Sequence, residues 1–509
     1  MRHNNVVLSC RDASIICFCG LLMSMGCTPL TIRWTIRSVA DYYKHYSYYE
    51  IRMLLNAIRY LYSIFLKNPL FLPQKLQMCG TEAEMREVAG KICRNYLHGA
   101  WKTVDPSEMF FVKLTGGLSN FLYLVGLPDT VRTPKMTPVT DEELDLEDKV
   151  MRRSNSFTLE EPRKVLLRIY GQVHGERAMD AIVTESVIFT LLSERKLGPK
   201  LYGVFSGGRI EEYIPARPLL TKELSDPALS MKIAEKMAAI HSMAVPLSKD
   251  PDWIWKNCYK WLKTVKEERL KNVKGKRLDF DQELTWLKKV LATVNSPVVF
   301  CHNDMQEGNI LLFENSAPAD TEFPSTPPYN SSLKDLPNFE DANTSDSITS
   351  RISDSGEPRM VFIDFEYCAY NYRGFDIANH FQEWAYDYSN PDHPYYYENL
   401  DDLPTLEQRE IFIKEYLKAY QANGSDDKSQ QPPTLEEINQ LLSEVEAFEL
   451  ASNMLWTLWS CVNASKSQIT FGYWEYARSR LENYQRLKSN LIKKSNSSGQ
   501  KRKIEEVDI

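Results

Sequence analysis

The sequence predicts an α+β chain of two lobes, a small β-rich one followed by a larger helical one. Three observations lead there. Short apolar runs broken by glycine turns crowd residues 108–215, with a single helical stretch among them. Beyond residue 215 helical periodicity dominates. In that helical region a pair of apolar runs, "SPVVF" and "RMVFI", each lead into an aspartate, Asp304 and Asp364.

Composition allows such an architecture and excludes several others. The chain has 509 residues, enough for two lobes with sizeable cores, and is 43% hydrophobic, 25% charged and 11% aromatic. A net charge of -7 leaves no basic excess for nucleic acid. Ten cysteines without a CxxC pair fit a reduced, cytoplasmic protein. Eight histidines without an HExxH arrangement argue against a protein-built zinc site.

Residues 1–80 read as an extension. Its stretch 13–32 is uncharged, lies between Arg11 and Arg33, and approaches the length of a membrane span, but Ser, Gly, Thr and Pro dilute it. Signal peptide, anchor and packing segment all stay open. Between residues 34 and 75, Ile51, Leu54, Leu55, Ile58, Leu61 and Phe65 recur at helical spacing opposite Arg52, Asn56, Arg59 and Lys67. Such a helix docks on its own protein or lies on an anionic membrane. Membrane contact rests on this extension alone.

The first lobe spans 81–214. Residues 108–129 read as a hairpin about Gly116-Gly117, and a polar, acidic loop follows at 130–163. "KVLLRIYG" is a third strand. A helix carrying Val183, Val187, Phe189, Leu191 and Leu192 is closed by Gly198-Pro199, and 201–215 forms a second hairpin. The second lobe spans 215–492. Its insertion 314–359 is rich in Ser, Thr, Pro, Asn and Asp and poor in large apolar residues, so it cannot repay ordering and is expected to be disordered, as is the tail 493–509.

The polar residues at the two strand ends form an ordered set. His302-Asn303-Asp304 is followed, after four residues, by Asn309, and the second run delivers Asp364-Phe365-Glu366. Phosphoryl transfer needs an Asp near the attacking hydroxyl, and an Asn and a second Asp for magnesium, in this order. Magnesium takes few protein oxygens, so Asn309 and Asp364 plus nucleotide phosphates suffice. Upstream, Gly116, Gly117, Leu118, Ser119 and Asn120 form a loop whose backbone can approach phosphates. Arg168 stands where a cation contacts the phosphates, and Glu185 in the next helix is its expected ion-pair partner. A Gly-Gly turn or an Arg–Glu pair is ordinary alone; the order of the four makes an ATP- and magnesium-dependent phosphotransferase.

The segments "TGGLSN", "LGPKLYGVF", "HNDMQEGNILL" and "VFIDFEYCAYNYRGFDIANHF" resemble the choline/ethanolamine kinase family, its choline kinases above all. The likeness runs over 82–487 apart from the two polar insertions. It implies a protein-kinase-like (aminoglycoside phosphotransferase-like) fold, a homodimer, and phosphorylation of choline, with ethanolamine a second acceptor, as the first step of phosphatidylcholine synthesis. It puts Gln306 beside the reacting groups and Glu212 to Ile214 at the hinge that receives adenine. Glu212 departs from relatives that carry an amide there, and arginine at 168 binds phosphate as a planar fork rather than a point charge.

A quaternary ammonium has no N–H, so aromatic faces and charge must hold it. "NMLWTLWSCVNASKSQITFGYWEYA" offers Trp456 and Trp459 on one helix face, then Phe471, Tyr473 and Tyr476. Read alone, rings at this spacing fit core packing. The resemblance assigns them, with Tyr367 and Tyr388, to the choline pocket, and makes Glu383 its acid. Three other readings are an ethanolamine-preferring kinase, an antibiotic phosphotransferase and an inactive kinase-like scaffold.

Overall fold

The computed structural model describes residues 81–497 apart from 115–119, 132–161, 171–177, 196, 206, 246, 268–278, 314–357, 425–431 and 468. The extension 1–80, the loop residues Gly116, Gly117, Leu118 and Ser119, nearly all of both polar insertions and the end of the tail lie outside the described residues. Among the described residues no helix is long and apolar enough to cross a membrane.

Helix α1 (Glu82–Tyr96) opens on a capping box in which Thr81 and Glu84 satisfy each other's backbone N–H groups. Strands β1 (Phe110–Leu114) and β2 (Asn120–Gly126) pair antiparallel, as the hairpin expectation requires. They are followed by β3 (Lys164–Tyr170), helix α2 (Ala178–Glu194), β4 (Leu201–Phe205) and β5 (Gly208–Glu212). These strands make one antiparallel sheet in the order β1-β2-β3-β5-β4. Alternation along β3 sends Val165, Leu167 and Ile169 into the core beneath α1, with Met85, Ile92 and Trp101. It therefore turns Arg168 to the other face, toward the second lobe. The β3–β5 register sets Arg168 directly opposite Arg209.

The helical lobe begins with β6 (Arg217–Pro218) and α3 (Pro227–His241), which Asp226 caps ahead of a proline at the first turn. Helices α4 (Trp253–Glu267) and α5 (Phe280–Leu291) lead to β7 (Val298–Cys301). Strands β8 (Ile310–Leu312) and β9 (Met360–Phe362) pair antiparallel although the insertion separates them in sequence. Strand β10 (Ala369–Tyr372) pairs with β7 and runs into α6 (Arg373–Glu383). A short ladder of β11 (Tyr386–Asp387) and β12 (Tyr397–Glu398) precedes α7 (Leu406–Gly424), α8 (Leu435–Lys466) and α9 (Tyr473–Ser497).

Helix α8 is buried along most of its length from Glu444 to Asn463 and packs against α6, α9, α4 and α7. Burial on all sides explains why its sequence shows no amphipathic stripe. The lobes meet at the turn after α2. A Cβ at Gly198 would stand 2.7 Å from the Phe365 ring, so only glycine lets this turn approach the strand end that carries Asp364.

Candidate active site

Strand β7 stops at Cys301 because the next residues turn their backbone toward a buried carboxylate. Asp376, at the start of α6 and fully buried, accepts His302 N–H at 2.8 Å and Asn303 N–H at 2.7 Å. Asn303 takes a left-handed φ of 67°, held by the Asn371 amide at 2.7 Å and by its own bond to the Tyr367 carbonyl at 2.9 Å. His241 Nε2 lies 2.9 Å from Asp376, and its other ring nitrogen 2.8 Å from the Tyr416 hydroxyl. Burial would push the Asp376 carboxyl up, but the His241 contact and the backbone donors hold it below the usual range. A fixed anion thus aims the 302–309 loop.

That loop presents Asp304 and Asn309 together. The Asn309 amide donates to the Asp304 carbonyl at 2.8 Å and to its carboxylate at 3.1 Å. Gln306 caps the following turn through Gly308 N–H at 3.1 Å. The pairing of β8 with β9, extended by Ile363 N–H to the Asn309 carbonyl at 3.0 Å, brings Asp364 alongside. Asp304, Gln306, Asn309 and Asp364 line one cavity. Burial, then Glu383, Asp364 and Glu366, push the Asp304 carboxyl well above the usual carboxylate range.

Asp364 also sits at φ 67°, which turns its side chain to the sheet lobe. Its Oδ2 accepts from Arg168 Nη1 at 3.0 Å, while Oδ1 is buried with no hydrogen-bond partner. Burial raises its pKa, yet Arg168 and Arg209 outweigh that and keep it low. An ionised, unpartnered carboxylate oxygen beside an amide whose nitrogen is already committed fits a hard cation. Magnesium would be held by Asp364 and Asn309 and would supply positive charge to the phosphates. Nearby, burial and then Asp364 push Glu366 up to about 8, and it accepts from the Asn120 amide at 3.2 Å.

The lining of the same cavity is also aromatic. Tyr367, Tyr388, Trp456, Trp459 and Tyr476 line it with Glu383. Each indole is fixed through its N–H: Trp456 to Asn379 Oδ1 at 2.6 Å, Trp459 to the Tyr367 hydroxyl at 2.9 Å. Their rings cross at 81° with centroids 5.5 Å apart. The edge-on packing leaves faces available rather than stacked away.

A family model described as choline/ethanolamine kinase matches residues 111–485. The chain belongs to the choline/ethanolamine kinase family. It is 38% identical over 436 residues to a human choline/ethanolamine kinase, covering 85% of this chain and 93% of that protein. To mouse choline kinase alpha it is 36% identical over 427 residues, covering 79% and 81%. The crystal structure of choline kinase from Cryptosporidium parvum Iowa II superposes with a TM-score of 0.54 at 25% identity, covering 80% of this chain and 97% of that one.

Most residues singled out in this kinase by sequence converge on the cavity; Glu185, Phe471, Tyr473, Glu212 and Ile214 do not line it. Arg168 does not pair with Glu185: its partners are Glu211, at 2.9 Å, and Asp364. Glu185 is taken instead by Arg209, which the register sets beside Arg168. Two adjacent arginines need more than one acid, and Glu211 bridges both. Phe471 and Tyr473 are buried behind the cavity wall, Phe471 against Tyr388 and Tyr476 and Tyr473 against Trp459. Glu212 and Ile214 sit where the sheet lobe passes into the helical lobe, the position expected of a hinge, and do not line the cavity that holds Asp304 and Asp364. Ile214 packs on Phe313 and Val361, and Glu212 accepts Lys200 N–H at 3.0 Å. Glu383 lines the cavity and is also ion-paired with Arg480. Sequence reading gave no role to Asp376, Glu211, Arg209 or Arg480. Asp376 had a signal, a carboxylate within the apolar helical run "GFDIANHF".

Proposed function

We propose that the protein transfers the γ-phosphoryl group of ATP to the hydroxyl of choline, giving phosphocholine, with ethanolamine as a second acceptor. The observation that carries this reading is one cavity whose lining combines two chemistries: the polar groups of Asp304, Asn309 and Asp364, and five aromatic rings. Rings contribute roughly 0.5–2 kcal/mol each toward a cation, enough together to select a trimethylammonium group that offers no N–H. With that group seated among the rings, the short two-carbon arm carries the hydroxyl to Asp304. Asp304 orients the hydroxyl and accepts its proton; burial and the carboxylates of Glu383, Asp364 and Glu366 raise its pKa, which makes it a stronger base than an exposed aspartate. The Asn309 amide holds the Asp304 carboxylate in place. Arg168 and the 116–120 loop steady the phosphates, and Glu212 to Ile214 receive adenine through the backbone.

This activity is the first step of phosphatidylcholine synthesis. A cytoplasmic homodimer completes the proposal. Cys93, Cys258, Cys301, Cys368 and Cys461 are free thiols, in keeping with a reducing compartment. The test is a turnover assay with ATP, magnesium and either choline or ethanolamine. Phosphate transfer to choline is expected; ATP binding with transfer to neither alcohol would make the chain a kinase-like scaffold. Light scattering of the purified chain reads its oligomeric state.

A further inference from the structure

Glu383, which lines the cavity together with the rings, is tied into a closed circuit. Arg480, on α9 and fully buried, donates from Nη2 both to Glu383 Oε1 and, at 2.6 Å, to the Tyr476 hydroxyl. The Tyr388 hydroxyl donates to Glu383 Oε2 at 2.7 Å, and its oxygen lies 2.8 Å from that of Tyr476. Tyr388 has spent its one proton on Glu383, so the Tyr476 proton goes to Tyr388. Every bond in the circuit then runs in one sense toward Glu383. The remaining guanidinium nitrogens, Nε and Nη1, have no hydrogen-bond partner; the guanidinium carbon stands 4.0 Å from the centre of the Tyr386 ring and 5.0 Å from that of Tyr476.

Two amino alcohols of the same length differ in what they ask of such a pocket. A primary ammonium carries three N–H donors and is strongly hydrated, so entering a dry site demands acceptors with uncancelled negative charge. A quaternary ammonium carries none and is satisfied by ring faces and a mild negative field. Here the charge of Glu383 is cancelled by a cation within contact distance, and each of its oxygens already accepts a bond. The rings are left to do the selecting.

We propose that Arg480, by occupying Glu383, is a specificity-determining positioning residue that makes the site prefer a quaternary over a primary ammonium. The inference rests on the reading of this cavity as the amino-alcohol site. Arg480 acts without touching substrate. Its removal leaves a buried, uncancelled carboxylate beside the rings, which a primary ammonium meets with direct N–H bonds and a quaternary one cannot.

The experiment compares kcat/KM for choline and for ethanolamine in the wild-type protein and in Arg480→Met, Arg480→Lys, Tyr388→Phe and Arg480→Met/Glu383→Gln. Arg480→Met should shift the ratio toward ethanolamine by about tenfold, the worth of one hydrogen bond to a charged group. Arg480→Lys keeps the cation and should hold the wild-type ratio; the double variant, with no carboxylate to free, should return toward it. Tyr388→Phe frees the other Glu383 oxygen and should move the ratio the same way, which decides the matter if Arg480→Met does not fold. A purely structural Arg480 would lower both substrates alike, and an unmoved ratio in Arg480→Met and Tyr388→Phe overturns the inference. Wild-type transfer to choline tests the proposed function separately. The same ratio read from calorimetric binding of choline and ethanolamine tests the inference whether or not turnover is seen.

Discussion

Arg168 reaches Asp364 at 3.0 Å and so ties the middle of the sheet lobe to the strand end that carries the metal-type carboxylate. Both side chains are largely buried, and Arg168 is shared with Glu211. Buried ion pairs are costly to break, because the abandoned partner keeps its charge. Arg168→Met should therefore act twice. Turnover should fall by roughly 10²-fold through loss of a preorganised phosphate contact, and the melting temperature should drop with about 3 kcal/mol of stability. Steady-state kinetics over ATP and a thermal melt check the two effects, and an unchanged KM for ATP with unchanged kcat would remove Arg168 from the phosphate site.

Asp304 carries the proton-transfer step in the proposed reaction, while nucleotide contacts lie elsewhere. Asp304→Ala should lower kcat by about 10²–10⁴-fold and leave ATP affinity within about threefold. Equilibrium ATP binding alongside single-turnover transfer separates these. Retained turnover would assign the base to another group.

How much of this was legible beforehand differs by the range of the interaction. The strands of the sheet lobe announced themselves as short apolar runs about glycine turns, and the 302–309 and 364–366 segments through polar residues punctuating apolar runs. Arg209 was invisible as the partner of Glu185 because the β3–β5 register, not local sequence, sets it beside Arg168. Arg480 and Glu383 lie 97 positions apart, on helices whose own patterns say nothing of each other. Phe471 and Tyr473 show the limit of spacing: ring-to-ring contact put them behind the wall rather than on it, and a run of aromatics looks the same either way.

Asp376 is the anchor of the 302–309 loop, accepting two backbone N–H groups and facing His241. Asp376→Asn is nearly isosteric but turns one acceptor into a donor aimed at a backbone N–H. The loop should lose its fixed aim, so kcat should fall by about 10–100-fold and stability by roughly 2–4 kcal/mol, with choline KM little changed. Kinetics at a temperature well below the melting point check this. A KM effect without a kcat effect would place the role of Asp376 in substrate binding.

Trp459 offers its ring to the cavity and its N–H to Tyr367. Trp459→Ala should raise KM for choline by about tenfold or more while leaving KM for ATP within about twofold. Initial rates at crossed concentrations of the two substrates give both values. Equal rises would mean that the substitution had collapsed the lobe rather than emptied a cage.

Glu212 gives the kinase a pH-dependent stability that is independent of the metal-type carboxylates. Burial pushes its carboxyl up to about 7 in the folded protein. Below the unfolded value of 4.5, both states carry the proton and the group contributes no pH dependence. Between there and about 7 the folded state keeps a proton that the unfolded state has lost, so this group makes stability fall as pH rises through that window and level off above it. The full change corresponds to an upper bound of roughly 3 kcal/mol. Glu212→Gln removes the titration and keeps an acceptor for the Lys200 N–H. The variant should melt above wild type at pH 8 by several degrees, and the gap should shrink toward pH 5. Calorimetric melts at the two pH values measure it; a gap that is constant with pH would mean that Glu212 stays ionised at the hinge.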